Sequence, residues 1–377
     1  MIHLMASVFL LFFKLRVEKG LPKLGQVRNC QTTHKVSVII PARNEERDIG
    51  ECLESYLSQG DVVYEIIVVD DGSTDGTALV ASRYSSKGVK VLKASPTPRG
   101  WVGKTWACHI GYEASCGEWL LFTDSDARVQ RDLVSKVLTL ASEGEFDMVS
   151  LYPSFEMQTP ILKAALPILL MGLYLIGRPD KVVDGKASFA FGSFILVKRD
   201  AYERLGGHKR VRSSLLEDRA IAIVGRHEGL RILLADARGY MTAAWNRSLE
   251  TLWHGILRLF TPIFLGHKFK PLALTAALAF IFLAPIIGFL LSIQGPLYDS
   301  FLSGISLALI STALGLEAYR HGGGLLSCFL WPAGAVIVLA GLVSALYRSA
   351  RDPVIVWRHR RYRLARGELH ELAETTS

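Results

Sequence analysis

The sequence predicts an α/β fold built on a mostly parallel sheet, followed by C-terminal transmembrane helices. Three observations carry this expectation. Short β-branched runs alternate with helix-period segments through residues 35–125, three of the runs end in a polar cluster, and 271–347 is almost without charge. Strands joined by crossover helices form a sheet covered on both faces, whose ligands gather beyond the carboxyl ends of the strands.

Val36-Ser37-Val38-Ile39-Ile40, ended by Pro41, reads as the first strand, and 45–57 as a helix with Ile49, Cys52, Leu53 and Tyr56 on its inner face. Glu65-Ile66-Ile67-Val68-Val69 is a second strand. It stops at Asp70-Asp71-Gly72-Ser73, a turn cluster leading into a helix at 78–84. A third strand is expected at 89–92, a helix at 105–115, and a fourth strand at Trp119-Leu120-Leu121-Phe122 that ends in Asp124-Ser125-Asp126. Residues i and i+2 at a strand end point the same way, so both carboxylates can face one divalent cation and the phosphates it carries. Each polar cluster alone has an ordinary reading as a cap or turn. Three at the same end of successive strands point to one crevice.

Half of the 377 residues are hydrophobic and the mean hydropathy is +0.27, but the apolar excess is concentrated near the C-terminus. The expected organisation is a short apolar segment with a basic flank at 1–34, a catalytic domain at 35–265, transmembrane helices at 266–350 and a basic cytoplasmic tail at 351–377. Segments 271–293 and 325–347 are long enough to span about 20 residues of bilayer, whereas 301–316 is short. Segment 2–13 also falls short of a comfortable span. An even number of crossings after 271 suits the basic flanks, with Pro285 and 301–316 as the suspects for a re-entrant segment. Segment 161–176, interrupted by Lys163 and Pro167, reads either as a helix on the membrane surface beside the site or as core.

The net charge of +8 would suit nucleic acid, yet the cations gather at membrane edges: Lys14 to Arg28, 267–270, and Arg348 to Arg366. Anionic lipid is therefore the expected partner, and nucleic acid is not. Five cysteines without Cys-x-x-Cys spacing predict reduced thiols, with neither a disulfide framework nor a zinc site.

The runs VSVIIPARNEE, EIIVVDDGSTDGT, FTDSDA and LLEDRAIA, in that order over 35–260, resemble the family 2 glycosyltransferases of the GT-A fold. GWVGKTWAC at 100–108, GGH at 206–208 and VWRHRRY at 356–362 are similar to the membrane-bound branch that includes carotenoid and hopanoid-associated enzymes. The first strand leads into Pro-Ala-Arg-Asn-Glu with no Gly-x-Gly-x-x-Gly turn, which disfavours a dinucleotide dehydrogenase.

The resemblance implies a nucleotide-sugar donor, usually a UDP-sugar, and Mg or Mn. It implies donor-binding roles for Pro41, Arg43, Glu45, Asp70, Asp71, Lys104 and Asp124, metal binding by Asp124 and Asp126, and a base at Asp218 oriented by Glu217. Gly192-Ser193 resembles the acceptor-side strand, Trp101 either stacks on substrate or packs its loop, and His208 and His254 are secondary candidates. The Gln-x-x-Arg-Trp motif of processive synthases is absent, since 244–247 reads Ala-Trp-Asn-Arg, so a single sugar addition is expected. The expected acceptor is a membrane-lipid hydroxyl, reached by an integral protein of the bacterial cell membrane whose catalytic domain is cytoplasmic. A polyprenyl phosphate acceptor and a silent nucleotide-sugar-binding protein are the alternatives.

Overall fold

The structure, a computed structural model, describes residues 2–26, 34–267, 269–293, 295–324, 327–358, 360–365 and 368–372. Arg28, Cys30, Lys268, Leu325, His359, Arg366 and the terminal 373–377, all part of segments singled out above, lie outside the described residues.

Helix α1 (Ile2–Gly20) precedes the catalytic domain. Then β1 (Val36–Ala42), α2 (Ile49–Leu57), β2 (Val63–Asp70), α3 (Thr77–Ser82), β3 (Val89–Lys93), α4 (Gly103–Glu113) and β4 (Trp119–Phe122) alternate as expected. The domain continues through β5 (Ala127–Val129), α5 (Leu133–Glu143), β6 (Met148–Tyr152), β7 (Ser154–Phe155) and α6 (Pro160–Gly177). Next come β8 (Ile195–Lys198), α7 (Arg199–Arg204), α8 (Gly207–Arg210), α9 (Glu217–His227), β9 (Ile232–Asp236), β10 (Met241–Ala243) and α10 (Leu249–Phe264). Three long helices, α11 (Phe269–Ser292), α12 (Leu297–Arg320) and α13 (Ser327–Arg351), lead to β11 (Val354–Trp357), β12 (Arg360–Ala365) and β13 (Glu368–Leu372).

Seven strands form the main sheet in the order β3-β2-β1-β4-β8-β6-β9, parallel throughout except for β8, which runs against both β4 and β6. The alternation within β1 divides the core. Val36, Val38 and Ile40 pack with Leu53, Tyr56 and Leu121 on one face, while Ile39 joins Cys108, Leu120 and Phe122 on the other. With both faces buried, the polar ends of β1, β2 and β4 are the edge left open to ligand.

Helix α6 is a single 18-residue helix despite Lys163 and Pro167, capped by Thr159, whose hydroxyl accepts from the Leu162 N–H at 3.3 Å. It is mostly buried. Gly334 of α13 lies so close that a Cβ there would meet the Ala164 carbonyl at 2.0 Å. Among the described residues four helices are long and apolar enough to cross a membrane, at Pro160–Lys181, Phe269–Ser292, Leu297–Arg320 and Ser327–Arg351.

Segment 301–316 therefore belongs to a full-length helix, longer than its hydropathy indicated. Helices α11 and α12 form an antiparallel hairpin, and α1, at 19 residues, runs alongside α12, with His3 near Ser303 at one end and Lys14 near Glu317 at the other. Helix α13 has both ends beside the catalytic domain. It starts just after His321, whose Nδ1 accepts the Phe155 N–H at 2.9 Å, and it leads directly into β11.

A buried polar knot joins helices and catalytic domain. The Glu317 carboxylate accepts from the hydroxyls of Tyr152 (2.7 Å) and Tyr174 (2.6 Å), with Arg238 at 3.7 Å and Lys14 at 4.0 Å. A buried charge is tolerated only when paired and hydrogen-bonded, and all these partners come from separate elements. The knot thus fixes α1, α6 and α12 against β6 and the turn after β9.

The expected tail at 351–377 is where structure and sequence reading part most. Val354–Trp357, Arg360–Ala365 and Glu368–Leu372 form an antiparallel three-stranded sheet in place of a basic strand of chain resting on lipid. Ile355 and Tyr362 are buried against Val102 and Leu215, whereas Arg361 and Arg363 are exposed. Alternation with period 2, masked by the density of arginine, makes this a sheet.

Candidate active site

A cavity of about 960 Å³ opens at the C-terminal ends of β1, β2 and β4. Pro41, Arg43, Glu45, Asp71, Lys104, Asp124, Asp126, Glu217 and Asp218 line it together. Asp70 does not. Its carboxylate accepts the Ser73 N–H at 3.2 Å and so caps its own turn.

The floor is stitched between the loops after β1 and β2. Arg43 Nη1 donates to the Asp71 carbonyl (2.6 Å), the Thr74 N–H to Asn44 Oδ1 (2.8 Å), and the Glu45 N–H to Thr77 Oγ1 (2.7 Å). Behind β4, Tyr56 donates to Thr123 Oγ1 (2.8 Å) and Thr123 donates to the Ser193 carbonyl (2.8 Å). That relay ties the carboxylates after β4 to the Gly192-Ser193 turn.

Lys104, in the first turn of α4, lies 2.6 Å from Asp124 and is also ion-paired with Glu217. Burial pulls its ammonium down, but the two carboxylates outweigh burial and hold it well above its ordinary value. Burial likewise pushes Asp124 up, and Lys104 brings it below the usual carboxylate range. Asp126 has no such ion pair among the described residues, and burial and the Asp124 charge raise it to about 6. Glu45 reaches about 7 through burial, with Arg358 acting against the rise.

Among the described residues no group of three or more His, Cys, Asp or Glu side chains forms a metal cage. The hard-oxygen pair Asp124 and Asp126, short of positive charge at Asp126, nevertheless fits a Mg or Mn ion that takes further ligands from substrate phosphates.

Asp218 sits in the first turn of α9. Its Oδ2 accepts the Gly192 N–H at 3.0 Å and its Oδ1 the Arg219 N–H at 2.7 Å. Burial and the neighbouring Glu217 raise its carboxyl to about 6, near the range in which a carboxylate takes a proton efficiently. At Gly192 a Cβ would stand 3.2 Å from Lys104 Nζ and 3.3 Å from Asp218 Oδ2, so the residue opposite Asp218 has little room for a side chain.

The other end of the cavity is apolar. Leu173 and Ile176 of α6, Phe189, Phe191, and Leu259 and Ile263 of α10 line it, with Trp245. His254 lies at that wall, exposed on α10. His208 does not reach the cavity. It is buried with Nδ1 2.7 Å from the Tyr202 hydroxyl, and burial lowers its ring to about 3. Trp101 packs its own loop, stacked on His109 at 5.1 Å.

A model of Glycosyl transferase family 2 matches residues 37–206. The 4,4'-diaponeurosporenoate glycosyltransferase of Staphylococcus aureus strain USA300 is 28% identical over 280 residues, 71% of this chain and 72% of that protein. Residues 37–206 thus form a glycosyl transferase family 2 domain. Its fold is GT-A, as in the solved mannosyltransferase PcManGT of Pyrobaculum calidifontis, in complex with GDP-Man and Mn2+, which aligns over 93% of this chain and 96% of its own at 20% identity with a TM-score of 0.53.

Cavity residues of this glycosyltransferase that sequence reasoning passed over come from its C-terminal sheet. Arg360 grips Asp71 with two bonds, 2.6 and 3.0 Å, Arg358 pairs with Glu45, and Trp357 lies under the Arg258 guanidinium at 4.9 Å. Burial pushes the Asp71 carboxyl up and Arg360 opposes the rise. The signal available was the β-branched run Val354-Ile355-Val356 ahead of alternating arginines. The cysteines found in the described residues, Cys52, Cys108, Cys116 and Cys328, are free thiols.

Proposed function

We propose that this glycosyltransferase moves one sugar, with inversion, from a nucleotide-sugar donor of the UDP-sugar type to a hydroxyl of a membrane lipid such as a carotenoid or hopanoid. The observation that carries the proposal is the cavity itself. One end holds Asp71, Asp124 and Asp126, the other is apolar and bounded by α6 and α10, and Asp218 stands between them, held by two backbone N–H groups. The relative from S. aureus, named for a carotenoid acid, supports a lipid of this class.

In this reading Asp71 accepts a nucleobase N–H, and Asp124 and Asp126 hold a divalent ion. When bound, that ion neutralises charge on the departing diphosphate. Lys104 adds a fixed positive charge beside Asp124. Asp218 takes the acceptor proton as the acceptor oxygen attacks the anomeric carbon. The bond from that carbon to the diphosphate oxygen breaks, and the nucleoside diphosphate leaves with the electron pair. One displacement on the face opposite the leaving group inverts the configuration.

The apolar wall gives a lipid chain a place to lie. On this account α1, α11 and α12 cross the bilayer, the N-terminus is outside, and α13 lies against α6 and α10 on the cytoplasmic side. The exposed basic residues Arg16, Lys19 and Lys23 then fall inside, where anionic lipid attracts them.

A second reading has one specific support: the relative's name denotes a carboxylate acceptor. Such an acceptor, like a polyprenyl phosphate, is already an anion and needs no base. Incubation of the purified protein with UDP-sugars, Mn and lipid extract tests both readings, because glycosylated lipid must form and its linkage, an alkali-stable O-glycoside (acetal) or an alkali-labile acyl ester, separates them.

A further inference from the structure

We infer that the C-terminal sheet completes the donor site, with Arg360 a positioning residue that holds Asp71 for a nucleobase carrying a ring N–H. The inference rests on the donor reading above and adds to it a specificity element contributed after the last membrane helix. The sheet is not loosely laid over the cavity. Ile355 and Tyr362 are buried with Val102 and Leu215, so the sheet is pinned both to the loop that leads into α4 and to the loop ahead of Glu217. Those loops are themselves joined, since the Val102 N–H donates to the Arg212 carbonyl at 2.8 Å.

Arg360 meets the Asp71 carboxylate as a two-pronged fork, 2.6 and 3.0 Å. A fork of this kind uses two of the roughly four lone-pair positions of a carboxylate and leaves the others to accept from a ligand. It also keeps a buried carboxylate ionised and fixed in plane, which is what an acceptor for a uracil or guanine ring N–H requires. Gly103 fits the same geometry. A Cβ there would lie 1.8 Å from Arg360 Nη1 and 2.2 Å from Asp71 Oδ2, so the chain has glycine where the fork passes over the start of α4. Arg43 links the parts, its Nη1 donating to the Asp71 carbonyl and its Nε to the Arg358 carbonyl at 3.1 Å. The nucleobase pocket is thus assembled from both ends of the chain.

The test measures binding of UDP, GDP and inorganic pyrophosphate, each with Mn, to the full-length protein in detergent by calorimetry. Arg360→Ala is expected to weaken binding of the preferred nucleotide by about tenfold or more, from loss of a charge-assisted pair that orients its acceptor, and to leave pyrophosphate within about twofold. Arg360→Lys should recover part of the loss. Arg360→Ala should add little to Asp71→Asn, because both act through one carboxylate. Arg363→Ala, on the exposed side of the same strand, should match the wild type. Unchanged or tighter nucleotide binding by Arg360→Ala, or an equal loss for pyrophosphate, overturns the inference while leaving the donor reading intact. A wild-type protein that binds neither nucleotide overturns the donor reading and the inference with it.

Discussion

Replacing Asp218 by Asn removes the group assigned to take the acceptor proton, and the structure sets the size of the effect. A positioned base contributes about 10²–10⁴-fold to the rate. The carboxamide also fits poorly, because both Asp218 oxygens accept backbone N–H groups, from Gly192 and Arg219. Asn can satisfy only one, and the other N–H then faces an NH2 group at a cost of about 1–3 kcal/mol. We expect kcat to fall by about 10³-fold with nucleotide affinity nearly unchanged. The pH profile provides a second readout. With the Asp218 carboxyl near 6, the protonated form accumulates as pH drops, so wild-type kcat at saturating donor and Mn falls about tenfold per unit below about 6, and the part of this acid limb due to Asp218 is lost in the variant. The assay is transfer of labelled sugar to extractable lipid from pH 5 to 8. Retention of more than about a tenth of wild-type kcat would refute a base at Asp218, and the acceptor would then be an anion already.

Other consequences follow from the same geometry. Asp126→Asn should weaken Mn-dependent UDP binding by about tenfold or more and leave binding measured with a chelator unchanged, as read by calorimetry. Gly103→Ala should force the Arg360–Asp71 fork apart and weaken UDP binding by about tenfold, with thermal unfolding near wild type. Glu317→Ala takes the acceptor from the Tyr152 and Tyr174 hydroxyls, while Arg238 and Lys14 keep Asp236 and Glu18, and should destabilise the protein by about 1–3 kcal/mol, visible as a lower unfolding midpoint in detergent. A reporter fused after Ser377 should give a cytoplasmic signal, since the C-terminal sheet packs on the catalytic cavity; an external signal would overturn the proposed topology.

The open end of the sheet was readable from sequence because chemistry changes abruptly there. Buried β-branched runs give way to Arg43-Asn44-Glu45, Asp71-Gly72 and Asp124-Ser125-Asp126, and a parallel sheet puts all three on one edge. Which of Asp70 and Asp71 faces the cavity was not readable, because neighbouring residues at a strand end point to opposite sides and the sequence does not set the phase. Hydropathy could not tell a helix packed on protein from one packed on lipid: 325–347 read as a span and 161–176, interrupted by Lys163 and Pro167, as a surface or core helix, yet both belong to helices long and apolar enough to cross, of which α6 is mostly buried. Arg358 and Arg360 were hidden differently. A cluster of cations after a membrane helix suits lipid headgroups, and only the pairing partners Glu45 and Asp71, some 300 positions earlier in the chain, turn those cations inward.

The central claim is that a nucleotide sugar and a membrane-dissolved acceptor meet in the cavity between Asp126 and the apolar wall of α6 and α10. Purified protein in lipid vesicles, given a panel of UDP-sugars with Mn and a carotenoid-containing lipid extract, tests it by mass analysis of the extracted lipid. The account predicts one added hexose per acceptor, formed with wild type and lost with Asp218→Asn. Sugar nucleotide hydrolysed without any glycosylated lipid, or lipid carrying long sugar chains, would contradict it.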